Sequence, residues 1–221
     1  DSDWEQGYGY QFWRCKHGAY RGDGAFGQYC IVMPAQDAVL AMTGGTDEMQ
    51  AVTDLVWEHL LSAMQDAPLP ADPAAHDELK QRLSGLAFTP PPGANTSSTA
   101  AAVSGKTFQL DTNEQGIEAI TFNFAPQDWT VTLQQAGQPH RFTGGYGVWQ
   151  PGEAPIYDHS GKLAASGVWT ADDTFVMTLR FYETPFYHTV TCRFDDSLMT
   201  VDTQVNVSFG PLRYSWIGAL P

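Results

Sequence analysis

The hydrophobic positions of the chain change period along its length, and each change marks a different kind of element. Residues 8 to 15 ("YGYQFWRC"), 26 to 33 ("FGQYCIVM") and 37 to 43 ("DAVLAMT") are rich in aromatic and β-branched residues and are separated by Gly, Pro or Asp. That pattern predicts consecutive antiparallel strands, with Pro34 and Asp37 marking a tight turn between the last two. The period then becomes helical. Thr46 is placed as an N-cap, Asp47 and Glu48 suit the positive end of a helix dipole, and Met49, Val52, Val56 and Leu60 fall on one stripe. A helix over 47 to 64 follows.

From residue 67 the chain turns to Pro, Ala, Ser and Thr, as in "PPPGANTSSTAAA", with one short amphipathic stretch through Leu79 and Leu83 that Gly85 ends. Residues 67 to 103 therefore read as a linker carrying a short helix. After it come "IEAITFNF", "DWTVTLQQ", "TFVMTLRFY", "YHTVTCRF" and "LMTVDTQVNVSF", spaced by turns such as "TNEQG" and "TADD". Phe175, Met177, Leu179 and Phe181 take one face of their strand, while Val176, Thr178 and Arg180 take the other. Many short alternating strands at regular spacing predict a closed or sandwiched all-β domain over 104 to 221.

Composition fits a folded chain, with 43% hydrophobic and 13% aromatic residues. The formal charge of -14 repels nucleic acid and anionic membranes, so neither is expected as a partner. The charge is spread over both halves rather than held in a tail. Cys15, Cys30 and Cys192 are odd in number and lack Cys-x-x-Cys spacing, so they specify neither a disulfide framework nor a zinc site. No cofactor and no metal are expected. The acidic start "DSDWEQGYGY" is unlike a signal peptide, and the absence of an initiating Met suggests a fragment or processed product. The compartment is not fixed by the sequence, with the cytoplasm slightly favoured over secretion.

"GYGYQFWR", then "YRGDGAFGQYCIVMPAQDAVLAMTGG", then an amphipathic helix resemble the C-terminal end of the serine β-lactamase and penicillin-binding-protein superfamily, in particular its class C-like bacterial hydrolases. The resemblance spans residues 4 to 65. It implies an α+β fold: the last strands of a central antiparallel sheet plus the closing helix over 1 to 66, followed by an all-β, barrel-like, lipocalin-like domain over 104 to 221. It also places Gly22, Asp23, Gly24 and Ala25 at the third active-site motif, where the Ala25 amide would face an oxyanion and Asp23 would lie at the pocket rim. A tight turn between two strands accounts for the same glycines without any chemistry.

The superfamily's Ser-x-x-Lys and Tyr-x-Asn are missing, as is Gly-x-Ser-x-Gly, so the chain carries no catalytic residue of its own. The resemblance then implies the C-terminal part of a hydrolase that acts on an amide, ester or lactam through an acyl-enzyme and is inactive alone. A small-molecule substrate is expected only for the intact protein. Other patterns are weaker. "DHSG" at Asp158 to Gly161 sits in a Pro- and Gly-rich loop, the six histidines show no ligand spacing, and Glu183 with His188 reads as an acid–base pair or as polar rim groups. The tryptophans fall in predicted elements and read as core.

The alternative is a non-catalytic binding or assembly module, whose barrel holds an apolar ligand in a cavity lined by Phe175, Leu179 and Phe181. Three strands and one helix over residues 1 to 65 also leave one sheet face without a cover. Exposing a few hundred Å² of apolar surface costs several kcal/mol at roughly 25 cal/mol per Å². A homo-oligomer formed through the uncovered sheet is therefore expected.

Overall fold

The structure, a computed structural model, describes residues 2–156 and 161–221. The chain divides into two compact units, Asp1–Phe88 and Thr89–Pro221.

The first unit is built on a five-stranded antiparallel meander in chain order: β1 (Tyr8–Gly9), β2 (Phe12–Arg14), β3 (Tyr20–Gly24), β4 (Gln28–Met33) and β5 (Ala38–Met42). Its hairpins turn on left-handed residues. Tyr10 and Gln11 (φ 53° and 68°) join β1 to β2, Phe26 and Gly27 (φ 64° and 90°) join β3 to β4, and Asp37 (φ 50°) precedes β5. Helix α1 (Met49–Leu55) runs on through a widened turn at Val56–Leu60 and a tight one at Leu61–Ala63. The predicted helix is present. Thr46 sits just outside it, with its hydroxyl accepting the Glu48 amide at 3.0 Å.

Period-2 alternation gives this sheet one buried face, where Tyr29, Ile31 and Met33 meet Val56 and Trp57. Two buried charges lie with them. The Asp3 carboxylate accepts hydrogen bonds from the Lys16 amide (2.8 Å), Gln50 Nε2 (2.8 Å), Trp57 Nε1 (3.0 Å) and Thr53 Oγ1 (3.1 Å). The Arg21 guanidinium lies over the Trp4 ring at 4.3 Å and pairs with Asp23 at 2.9 Å. The opposite face leaves Phe12, Tyr20, Cys30 and Val39 exposed. The short helix α2 (Pro73–Ser84) starts on the Asp72 cap and ends at Gly85, with Leu79 and Leu83 exposed.

The second unit opens with α3 (Ser98–Val103), a helix missed in the Ala- and Ser-rich stretch. Strands β6 (Thr107–Leu110), β7 (Ile117–Phe124), β8 (Asp128–Gln135) and β9 (Gln138–Tyr146) form one antiparallel run. A second run holds β11 (Lys162–Ala171), β12 (Thr174–Arg180), β13 (Tyr187–Asp195), β14 (Leu198–Val205) and β15 (Arg213–Ala219), with β10 (Gln150–Glu153) at the edge of β11. Pairing of β15 with β6, and of β9 with β11, closes a ring of nine strands. Nine is odd, so up and down cannot alternate all the way round, and one neighbouring pair must run parallel. That pair is β9 with β11, at Ser166↔Gly145 and Gly167↔Tyr146. Closure removes the free edges that would otherwise invite pairing with other chains. Phe175, Met177, Leu179 and Phe181 point inward and are fully or almost fully buried, as their alternation predicts.

The chain is thus mostly β, with a nine-stranded barrel and a separate five-stranded sheet. The strands of residues 1 to 66 are not the remnant of a hydrolase sheet: β1 to β5 form a meander in themselves, and Asp3, Arg21 and α1 build their own core under it.

Candidate functional site

The two ends of the barrel differ in what fills them. One end holds the last residues of β7, the first of β8 and the turn between β11 and β12. There Phe175 lies among Phe124 (ring centroids 5.0 Å apart), Trp129 (5.3 Å), Trp169 (5.3 Å) and Phe122 (6.3 Å). The rings meet in tilted and edge-on arrangements, which suit their quadrupoles. They fit because two positions lack side chains. A Cβ on Gly144 would lie 2.1 Å from the Trp129 ring, and one on Gly167 would lie 2.7 Å from Phe175 Cζ. Helix α3 adds Ala100 and Val103 to the same core, and Ser98 holds it there by donating from its amide (3.1 Å) and hydroxyl (2.6 Å) to Asp172. This end is a packed floor. A cavity lined by Phe175, Leu179 and Phe181 is therefore not what the barrel offers: these side chains are core.

The other end gathers the end of β6, the start of β7, the β8–β9 hairpin and residues 155 and 156 around a cavity of about 900 Å³. The β6–β7 loop that borders it is held by side chains. Asn113 donates from Nδ2 to the carbonyls of Asp111 (2.9 Å) and Ile117 (2.7 Å) and accepts the Ile117 amide at 3.1 Å. Gly116 takes φ +64°. Gln135 Nε2 donates to the Gln115 carbonyl (2.7 Å), Trp216 Nε1 donates to Gln115 Oε1 (3.2 Å), and the Gly137 amide donates to Glu118 Oε1 (3.0 Å). These bonds tie the loop to β8, to β15 and to the hairpin, so the mouth is ordered before anything enters it. Leu110, Ile117 and Ile156 give its wall an apolar part, and Asp111, Gln109, Gln138 and His140 give it a polar part. A second cavity, of about 380 Å³, lies on the other side of the same loop, against Tyr214 and Trp216.

Inside the barrel, Trp169 Nε1 and Thr203 Oγ1 are buried with no hydrogen-bond partner among the described residues. Thr203 is cross-strand to Tyr214, which lines the smaller cavity. Burial pushes the Tyr146 hydroxyl up to about 12, with Asp128 adding to the effect, and burial likewise raises the Cys192 thiol. Neither is poised as a nucleophile near neutral pH. Among the described residues no three His, Cys, Asp or Glu side chains come together as a metal ion would require.

The residues singled out by sequence lie elsewhere. Gly22, Asp23 and Gly24 are on β3, opposite Cys30, Tyr29 and Gln28 of β4, and Ala25 is in the turn that follows. Asp23 turns to Arg21 instead of a pocket rim. Glu183 pairs with Lys162 at 3.0 Å, while His188 is buried edge-on to Phe181 at 5.6 Å, so the two form no acid–base pair. Of "DHSG", Asp158, His159 and Ser160 lie outside the described residues. The mouth residues carry no sequence motif, and the turn signal "TNEQG" was their one visible trace.

No family model and no curated protein matches the chain. Solved structures similar to it include a fatty acid-binding protein from brain tissue of Drosophila melanogaster, at 12% identity and a TM-score of 0.41 over 53% of this chain and 98% of that one. The fatty-acid-binding protein of Manduca sexta is similar at 11% identity and 0.41, over 53% and 99%. A luciferase domain from the dinoflagellate Lingulodinium polyedrum is similar at 12% and 0.43, over 79% and 62%. With no family model or curated protein of the β-lactamase and penicillin-binding-protein superfamily matching, the resemblance of residues 4 to 65 to it does not hold, and with it falls the reading of the chain as part of a serine hydrolase.

Proposed function

We propose that residues 89 to 221 form a lipocalin-like binding barrel that takes a small amphipathic molecule at its open end. The observation that carries this reading is the contrast between the ends: aromatic rings and α3 fill one, while the other opens into a cavity of about 900 Å³ bordered by a loop held by side-chain hydrogen bonds. That volume is in the range of small-molecule sites, and a wall with an apolar part and a few converging polar groups is the usual make-up of such sites. A pre-ordered mouth also lowers the entropic cost of binding. Trp216 borders the smaller cavity, donates to Gln115 of the mouth loop, and so serves as a reporter.

The test is a titration of intrinsic tryptophan emission with a set of ten-carbon amphiphiles of differing head group, kept below their micelle concentrations. Saturable one-to-one binding is expected, weakened at least tenfold by Gln138→Trp, which fills the mouth from the start of β9. Absence of saturable binding by every member of the set would count against the reading.

A further inference from the structure

Three features of the mouth bear on what kind of head group it would hold. Among the described residues its lining includes two carboxylates, Asp111 and Glu118, and no Lys or Arg. Asp111 has no side-chain hydrogen bond to another described residue, and Glu118 commits only Oε1, to the Gly137 amide, which leaves Oε2 available. The remaining polar lining is dominated by carboxamides, among them Gln109, Gln135 and Gln138, whose carbonyl oxygens can also accept from a donor. The nearest base along the strand, Arg141, is exposed, and alternation along β9 turns it to the face opposite His140. An anionic head group entering this mouth would meet two like charges and no counter-ion. A protonated amine would meet two carboxylates and a ring of acceptors.

The whole-chain charge of -14 acts in the same direction, since it raises the local concentration of cations and lowers that of anions at an opening of this size. The apolar part of the wall, Leu110, Ile117 and Ile156, supplies a surface for the hydrocarbon part of a ligand. Resting on the reading of the barrel as a binding module, we infer that its ligand is a cationic amphiphile: a protonated amine, held by Asp111 and Glu118, carrying an apolar body that lies against Leu110, Ile117 and Ile156. Carboxylate amphiphiles are disfavoured by the same groups.

Calorimetric titration of the full chain at low ionic strength and about pH 8 compares decylamine, 1-decanol and decanoate. Decylamine is expected to bind one-to-one, and on the order of tenfold or more tighter than decanoate, the size of effect that two carboxylates near the head group give in a wet site. The isosteric double variant Asp111→Asn, Glu118→Gln keeps the acceptor for Gly137 and should bring the amine close to decanol. Its tryptophan emission and thermal midpoint report whether it is folded. Should it not fold, a salt series on the unaltered chain, from about 10 to about 500 mM, must weaken the amine and leave decanol unchanged.

Decanoate or decanol binding as tightly as the amine would overturn the ligand class and leave the binding module standing. Amine binding that ignores both the double variant and salt would overturn the assignment to these carboxylates. Failure of all three ligands to saturate would overturn the module reading, and this inference with it.

Discussion

Removing the Phe175 ring tests the two-ended description of the barrel. The side chain is fully buried, with four aromatic rings within 6.3 Å of its centroid, and its Cζ occupies the space a Cβ on Gly167 would need. Phe175→Ala leaves a void in a wall of rigid rings that cannot collapse far, so the loss should fall at about 3–5 kcal/mol, the range for a buried Phe. Part of that is the edge-on ring pairing, at about 0.5–1.5 kcal/mol for each pair beyond its area. A barrel of this size has a stability of roughly 5–15 kcal/mol, so the variant should still fold. In urea, with a slope of about 2 kcal/mol per M, the midpoint should move down by about 2 M, followed by tryptophan emission and far-ultraviolet dichroism together.

The same variant has a functional readout. Its void is apolar and lies at the end of the barrel away from the mouth, so it should take up benzene, as apolar cavities of this kind do, and leave amphiphile binding unchanged. A midpoint shift worth less than about 1 kcal/mol would refute the packed floor. A tenfold loss of amphiphile affinity in a folded variant would refute the independence of the two ends.

In the first unit, burial alone would raise the Asp3 carboxyl, but hydrogen bonds from Trp57, Gln50, the Lys16 amide and Thr53 outweigh it and hold the pKa below 3.8. Its contribution is therefore present above about pH 4 and lost as pH falls through the lowered value; Asp3→Ala should cost about 3–5 kcal/mol at pH 7 and flatten the acid limb of the unfolding curve, and an unchanged limb would refute this. Gly22→Ala should be nearly neutral, since the added Cβ would meet only Cys30 Cβ at 3.9 Å, whereas Gly27→Ala, at φ +90°, should cost about 1 kcal/mol or more; denaturation midpoints in the reverse order would refute the assignment. The expected self-association through the exposed sheet face is checked by sedimentation at micromolar concentration, where Phe12→Glu with Val39→Glu should shift the chain to a monomer; a monomeric unaltered chain would remove the expectation.

What the sequence made legible follows from which residues carry a periodic signal. β7 and β8 were predicted to the residue, and β12 to β14 in all but their ends, because Ile120, Phe122, Val131, Leu133, Met177 and Val190 alternate cleanly with polar neighbours. β9 and β11 were invisible for a physical reason. Pro139, Gly144 and Gly145 in one, and Ala164, Ala165, Ser166 and Gly167 in the other, dilute the strand signal, and Gly144 and Gly167 are small because the rings of Trp129 and Phe175 press against them. The mouth was equally hidden. Its residues come from three separate stretches, and single-chain periodicity records which face a residue takes but not which loops meet at a barrel end.

The stretch "YRGDGAFGQY" shows how a glycine pattern that suggests a substrate site can also follow from backbone geometry. Two of its three glycines answer to a backbone demand. Gly27 takes a left-handed φ of +90° in the β3–β4 turn, and Gly24 lies where a Cβ would come within 2.9 Å of Gln28 Cβ across the strand pair. Gly44, further on, is pressed against the Gly27 carbonyl, where a Cβ would stand 3.0 Å away, and its own carbonyl accepts from the Gln28 side chain. The acid between the glycines is accounted for as well: Asp23 neutralises Arg21, whose guanidinium is buried beside the Trp4 ring and would be costly there without a counter-charge. Turn geometry, strand contact and charge pairing thus account for Gly27, Gly24 and Asp23 without a substrate. At the barrel mouth the count comes out the other way. The loop's structural hydrogen bonds use Asn113, Gln115, Gln135 and one oxygen of Glu118, and leave Asp111, Gln138 and His140 facing the cavity with no bond to another described side chain. That surplus of polar groups, at the end of a barrel otherwise filled to its floor, is what the proposed binding at the mouth rests on.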